Sequence, residues 1–498
     1  MNQPLRLLCL LLLAGASILP TGSAQEQPQL FGTTWEDLSQ FGVDLQDEYL
    51  ERALALEHAP VYHLQWRFDG PTELQALQEV RVANYSDVEW HRLHFHLHPN
   101  LLGARLQVES ALVDGRPARQ ELHDSGGLLT LGMHEPLPPG AAVTVTFDYD
   151  LEFRSAVGRN YGILGYRQGI LSLPHGYPLL AVHRDGAWDL DLPDRRGDMA
   201  HAVASFYRVR VDVPAGIDLV ATGRTTGWRR EGDRQIREFT AGPVRDFYLA
   251  AGEEFDPLIA YASGTFIRGF AEFDSIPGME EALEHTVAAL EFMTERYGPY
   301  PYRELELVPI STSALGVEFP GVIALRRQLF SGADRSRLLE STVVHEVIHQ
   351  WFYGLVGNDQ LSEPWLDESL TQYLTLRYYL WRHGSGGYRA FRQDLLARWD
   401  QLDRSVQPVG LPVDAYDAVQ YNALVYGLGP LVIEWLADRL GRPEFDAFLH
   451  EYAQRFSFRL ARTGDFREGL EEACDCSLEG FFARWIAGGA AGGGDPVR

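Results

Sequence analysis

The chain has 498 residues, 45% of them hydrophobic, enough for two or three domains that each bury a core, which excludes a disordered protein. Its 69 acids against 43 bases give a formal net charge of −26, which argues against nucleic-acid binding. Every base is an arginine, so a catalytic lysine is excluded as well.

Residues 1–24 open with Arg6, run apolar from Leu7 to Leu19 and end in Gly22-Ser23-Ala24, the pattern of a cleaved secretory signal. That run is shorter than the ~20 residues that cross a bilayer. The mature protein is therefore expected to be secreted or periplasmic without a stable membrane span, an uncleaved N-terminal anchor being the alternative. Residues 25–58 read as an N-terminal extension. Between 59 and 262 come short alternating segments, EVRVANYS, LHFHLHP, LQVESALVDG, AAVTVTFDYDLEF, FYRVRVDVPAG and REFTAGP, set apart by Gly, Pro, Asn and Asp. This spacing predicts an all-β domain.

Within that domain EWHRLHFHLHP places His94, His96 and His98 at alternate positions, as paired zinc ligands sometimes are. Leu93, Phe95 and Leu97 fill the opposite face and no acid or cysteine holds a fixed relation to the histidines, so they read as the polar side of a sheet. The period changes near residue 276, where 279–297 becomes helical, followed by the turn Gly298-Pro299-Tyr300-Pro301 and a strand over 304–309. Further helices are predicted over 391–400, 421–440, 444–456 and 478–486. Residues 263–488 thus form a mainly helical domain, and 489–498 a glycine-rich tail. Cys474 and Cys476, the only cysteines beyond the signal, sit two positions apart and read as two local thiols.

The segment HEVIHQWFYGLVGNDQLSEPWLDE, residues 345–368, carries the chemistry. Apolar residues at helical spacing put it on a half-buried helix from Asp334 as N-cap to a stop at Gly354. On that helix His345 and His349, one turn apart, present imidazoles to a single metal ion. Glu346 projects about 100° further round, where it faces the attacking water as a base. A second helix, opened by Ser362 and Pro364, brings Glu368 near its start as third ligand and leaves one position open. An open position at one Zn2+ ion means hydrolysis.

Several runs resemble the aminopeptidase N (membrane alanyl aminopeptidase) family of gluzincins over nearly the whole mature chain. HEVIHQWF with PWLDESLTQY looks like the family's zinc helices, FMTERYGPYPY like the segment entering its active-site strand, and FFARWI like the end of its catalytic domain. LGVEFPG at 315–321 stands where the family has Gly-Ala-Met-Glu-Asn, with Glu318 in place, Leu315 for the glycine and Phe319 for the asparagine. VYGLGPLVIEWLADRLG resembles the helix that carries its tyrosine, which makes Tyr426 the match and Tyr421 the rival. The resemblance implies an antiparallel β-sandwich or saddle domain on a thermolysin-like zinc domain that cuts peptides from the N-terminus. It assigns His345, His349 and Glu368 to zinc, Glu346 to general-base work, Tyr426 to the oxyanion and Glu318 to the substrate α-ammonium.

Some features depart from the family. Gln372 occupies the place of a carboxylate that orients a zinc histidine. GYPLLAVHRDGAWDLDLP offers no clear counterpart to the second amine-binding acid of the β domain, and a short member without the large helical domain of many relatives is expected. An endopeptidase, a hydrolase of non-peptide substrates and a non-catalytic binding relative stay open at this point, as do side-chain preference and oligomeric state.

Overall fold

A computed structural model describes residues 30–32, 34–153, 160–193, 199, 201–331, 335–402 and 407–488. The expected signal at 1–24, the tail at 489–498 and the N-cap Asp334 lie outside the described residues. No described helix is long and apolar enough to cross a membrane.

The β-rich part is built on an eight-stranded sheet. Val61–Gly70, Glu73–Ala83, Ala142–Glu152 and Arg105–Val113 pair antiparallel in that order. On its other side Val61–Gly70 pairs parallel with Ser205–Pro214, which continues to Arg234–Val244 and Arg224–Glu231. Alternating burial along Glu73–Ala83 and Ala142–Glu152 is the period-2 pattern of their sequences. Two four-stranded sheets pack with it. One contains Trp90–His96, and the other contains Ile170–Pro174 and Tyr248–Gly252.

The second part has a five-stranded sheet that begins with the hairpin Asp256–Ala262 and Thr265–Ala271. This hairpin straddles the expected 262/263 boundary, because only its pairing with Glu304–Ile310, invisible in sequence, reveals which sheet it joins. Val322–Arg326 lies parallel to Glu304–Ile310, and Gly316–Phe319 closes the edge antiparallel. Helices Ile276–Tyr297 and Arg335–His349 cover the sheet. Leu370–Trp399 runs through the stretch expected to separate two helices and bends at Gly384, whose φ of 63° suits a residue without a β-carbon. Gly429–Leu440, Arg442–Arg455 and Glu479–Trp485 match expectation; Thr463–Cys474 does not, since its core side is little more than Phe466 and Leu470. Cys474 and Cys476 are joined as a disulfide, where two thiols were expected.

The two parts share one apolar core, with Tyr248 of the β part stacked on Phe319 of the edge strand Gly316–Phe319 at 4.1 Å. The N-terminal extension docks across the junction: Gln46 N donates to Pro301 O at 2.9 Å and Tyr49 Oη to Pro299 O at 2.9 Å. Arg245, fully buried, reaches from the β part to the segment after the helix Arg335–His349. Its Nε donates to Tyr353 O at 2.7 Å, and its other nitrogens to Leu355 O, Arg459 O and Ala202 O. Gly357 lies against that guanidinium, with no room there for a β-carbon.

Candidate active site

The helix Arg335–His349 ends four residues earlier than its apolar pattern suggested. Beyond His349 the backbone turns sharply, and Tyr353 takes a φ of 135°, unusual for a side chain of that size. Tyr353 is held at both ends, its carbonyl by Arg245 and its hydroxyl donating to Asp246 Oδ2 at 2.9 Å. The chain then loops to a π-turn, Trp365–Ser369, which presents Glu368 to the two histidines. His345 Nε2 lies 3.1 Å from Glu368 Oε2 and 3.0 Å from His349 Nε2, and His349 Nε2 lies 3.3 Å from the same oxygen. Three donors bound at about 2.0–2.1 Å to a tetrahedral zinc are separated by about 3.3 Å, so this triangle fits the ion. The donor set, two imidazoles and one carboxylate, is that of a catalytic zinc site.

Burial and the neighbouring His349 push His345 down to about 4. For His349 the carboxylates of Glu318, Glu368 and Glu346 outweigh burial and hold the imidazole well above its usual range. Burial, reinforced by Glu318, raises the Glu346 carboxyl well above normal. A cation at the triangle reverses that balance and favours the ionised base.

Glu346 sits beside the triangle with one buried oxygen, Oε2, that has no protein partner. Its carboxylate rests on the backbone of Gly316, where a β-carbon would collide with Oε1. Gly316 stands where the family motif has alanine, so the base lies against bare backbone here. On the other side, Tyr426 Oη donates to Glu368 Oε1 from the π-turn Leu424–Leu428. Tyr421 also lines the pocket, its ring 5.6 Å from that of Tyr426, but Tyr426 is the one bonded to a metal-site carboxylate.

Glu318, buried on the edge strand, faces the same cavity of about 290 Å³. Gln360 Nε2 donates to its Oε1 at 3.0 Å and to Asp367 Oδ2 at 2.9 Å. Sequence reasoning found no second acid from the β part, yet Asp246 lines this pocket, fully buried and pushed up to about 7 by burial. His175 Nε2 stands 3.7 Å from its Oδ2. The available signal was an acid at the head of the apolar run Phe247–Ala251. Gln372 also reaches the pocket, but its Oε1 is buried and unpartnered. The outer nitrogen of His349 instead meets Phe352 O at 3.0 Å and Thr371 Oγ1 at 3.3 Å, and that of His345 has no partner.

The His-x-His run is not the solvated sheet face expected. His96 and His98 are buried, and His98 has left the strand to begin a short helix, His98–Leu102. Their rings stack at 5.4 Å, and His98 lies 4.8 Å from His175. The Nδ1 atoms of all three are buried without partners, and they do not gather round a common point. Another acid and histidine group, Asp189, His201 and Asp359, joins the two parts, with His201 Nδ1 2.6 Å from Asp189 Oδ2.

Residues 281–485 match the profile of the Peptidase family M1 domain. Among curated proteins, aminopeptidase B of Rattus norvegicus is 28% identical over 309 residues, covering 57% of this chain and 46% of the relative. Aminopeptidase M1-A of Oryza sativa subsp. japonica is 24% identical over 417 residues, covering 77% and 46%. The chain thus spans about half the length of the curated relatives it matches. Among solved structures, a mutant M1 zinc metallopeptidase from Deinococcus radiodurans bound to a Tyr-ser-ala substrate superposes with a TM-score of 0.66 at 20% identity, over 88% of this chain and 96% of that one. The M1 zinc metallopeptidase from Deinococcus radiodurans gives 0.64 at 19%, over 88% and 95%. At such identities the likeness is one of fold.

Proposed function

We propose that this chain, whose residues 281–485 match the Peptidase family M1 domain, is a zinc aminopeptidase that releases N-terminal residues from peptides. His345, His349 and Glu368 hold one zinc ion, which supplies a Lewis acid for the scissile carbonyl and acidifies water. Glu346 takes the proton of the attacking water and returns it to the leaving amine, helped by its partnerless oxygen. Tyr426 turns its hydroxyl from Glu368 to the oxygen that gains negative charge. Glu318, joined by Asp246, receives the substrate α-ammonium.

The observation that carries the N-terminal reading is the buried acidic wall of Glu318 and Asp246 beside the metal triangle. Two carboxylates buried in one pocket with a single amide donor on Glu318 leave room for a cation. An endopeptidase has no use for that charge at this place. The test pairs a peptide with its N-acetylated form: the free amine is cut, and blocking it reduces kcat/KM by at least about a hundredfold. Equal cleavage of both would refute the reading. A chelator should abolish activity and zinc restore it. The leader-like residues 1–24 support action outside the cytoplasm.

A further inference from the structure

The pocket contains one charge that neither the metal triangle nor the acidic wall uses. Arg398, near the end of the helix Leu370–Trp399, lines the same cavity as His345, Glu346 and Tyr426. Among the described residues no hydrogen bond or ion pair engages its guanidinium, whose carbon stands 6.0 Å from the centre of the Tyr426 ring. Burial lowers its pKa, and Tyr426, Asp394 and Glu368 are the groups that act on it electrostatically. Arginine nonetheless stays charged. A largely desolvated cation that faces a cavity is suited to an anion arriving from outside.

Its place relative to the acids indicates which anion. Glu318 has a carboxylate oxygen within 4.8 Å of a ring nitrogen of His349, whereas Arg398 stands over Tyr426, whose ring lies 6.0 Å from that of His345. The cavity therefore runs from an acidic wall, across the metal ligands and Tyr426, to a cation. A peptide with its ammonium at Glu318 and its first carbonyl over the triangle continues past Tyr426 towards Arg398. At about 290 Å³ the cavity is at the small end of ligand pockets.

We propose that Arg398 binds the free C-terminal carboxylate of dipeptides and tripeptides, so that the pocket reads both ends of a short peptide. The inference rests on the aminopeptidase reading and narrows its substrate class. A guanidinium meets a carboxylate through two parallel hydrogen bonds, which fixes chain length as well as charge.

The test compares leucyl-glycyl-glycine with its C-terminal amide, and uses leucine p-nitroanilide, which has no carboxylate, to read N-terminal cleavage independently. The free acid should be preferred over the amide by roughly tenfold to a hundredfold in kcat/KM, the range for one charge-assisted pair. In Arg398→Gln that ratio should fall to about one, and in Arg398→Lys it should be partly kept. Titration calorimetry of the acid and amide into zinc-loaded Glu346→Gln, with and without Arg398→Gln, reads the same ratio without turnover. Equal use of acid and amide by the wild type overturns the proposal, as does a ratio that survives Arg398→Gln. So does an equal loss on both, which would make Arg398 a positioning residue for Tyr426. No cleavage of the anilide, with the acid preference intact, would instead count against the aminopeptidase reading alone.

Discussion

His345 and His349 in the catalytic part, and His96, His98 and His175 in the β part, are imidazole groups of similar burial with opposite arrangements. In the first, Nε2 atoms 3.0 Å apart converge with one carboxylate oxygen. In the second the rings of His96 and His98 stack at 5.4 Å and that of His175 lies tilted 4.8 Å from His98, their Nδ1 atoms unpartnered. Burial of histidine therefore says little by itself. What separates a metal site from a packed core is a shared focus and a negative charge beside it, here Glu368.

The contrast is broken most severely by deleting one imidazole from each group. His349→Ala should reduce bound zinc from one ion per chain to almost none and abolish peptidase activity, whereas His98→Ala should keep its zinc and lose only stability, both read by metal analysis of the purified protein. Next in size is Glu346→Gln, which should keep the metal and lower kcat by about 10² to 10⁴, the usual contribution of a general base. Zinc loss in that variant would contradict the assignment of Glu346 as a non-ligand. Gly316→Ala, which restores the alanine of the family motif, sets a β-carbon against the movable end of Glu346 and should lower kcat by less than about tenfold with little change in melting temperature.

The smallest effect sharpens the β-part side. His96 and His175 are both held down to about 4, chiefly by burial, against 6.5 in the unfolded chain. The unfolded state binds these protons first, so stability present above pH 6.5 is lost as pH falls towards 4. Each histidine contributes at most about 1.4 kcal/mol per pH unit over that window. Thermal melts from pH 7 to 4 should show the decline, and His96→Gln should flatten it.

The catalytic helices and the β alternation were legible because each is a local period with a local cause. His345, Glu346 and His349 share one helix, so spacing alone sets their faces, and Glu368 follows at a readable distance. Asp246 was not legible: it is adjacent to Glu318 only after the strand Tyr248–Gly252 stacks on the catalytic edge. The contact of Gly316 with the base was equally hidden, since a glycine does not say which atom will lie against it. His98 misled because its alternation continues beyond the point where the strand stops. The expected 262/263 boundary falls inside the hairpin Asp256–Ala262 and Thr265–Ala271 because strand period does not say which sheet a strand will join.

Arg245 reaches across the junction to three backbone carbonyls, those of Tyr353, Leu355 and Arg459, and holds a fourth, Ala202, in its own part. A buried guanidinium that loses those acceptors is strongly destabilising, by several kcal/mol. Neither half of the molecule is therefore a module that can be lifted out: cut at residue 255, each would expose a surface meant for the other. Melting should show one cooperative transition, and any evolutionary change in the β part must be tolerated by the hydrolytic centre it supports.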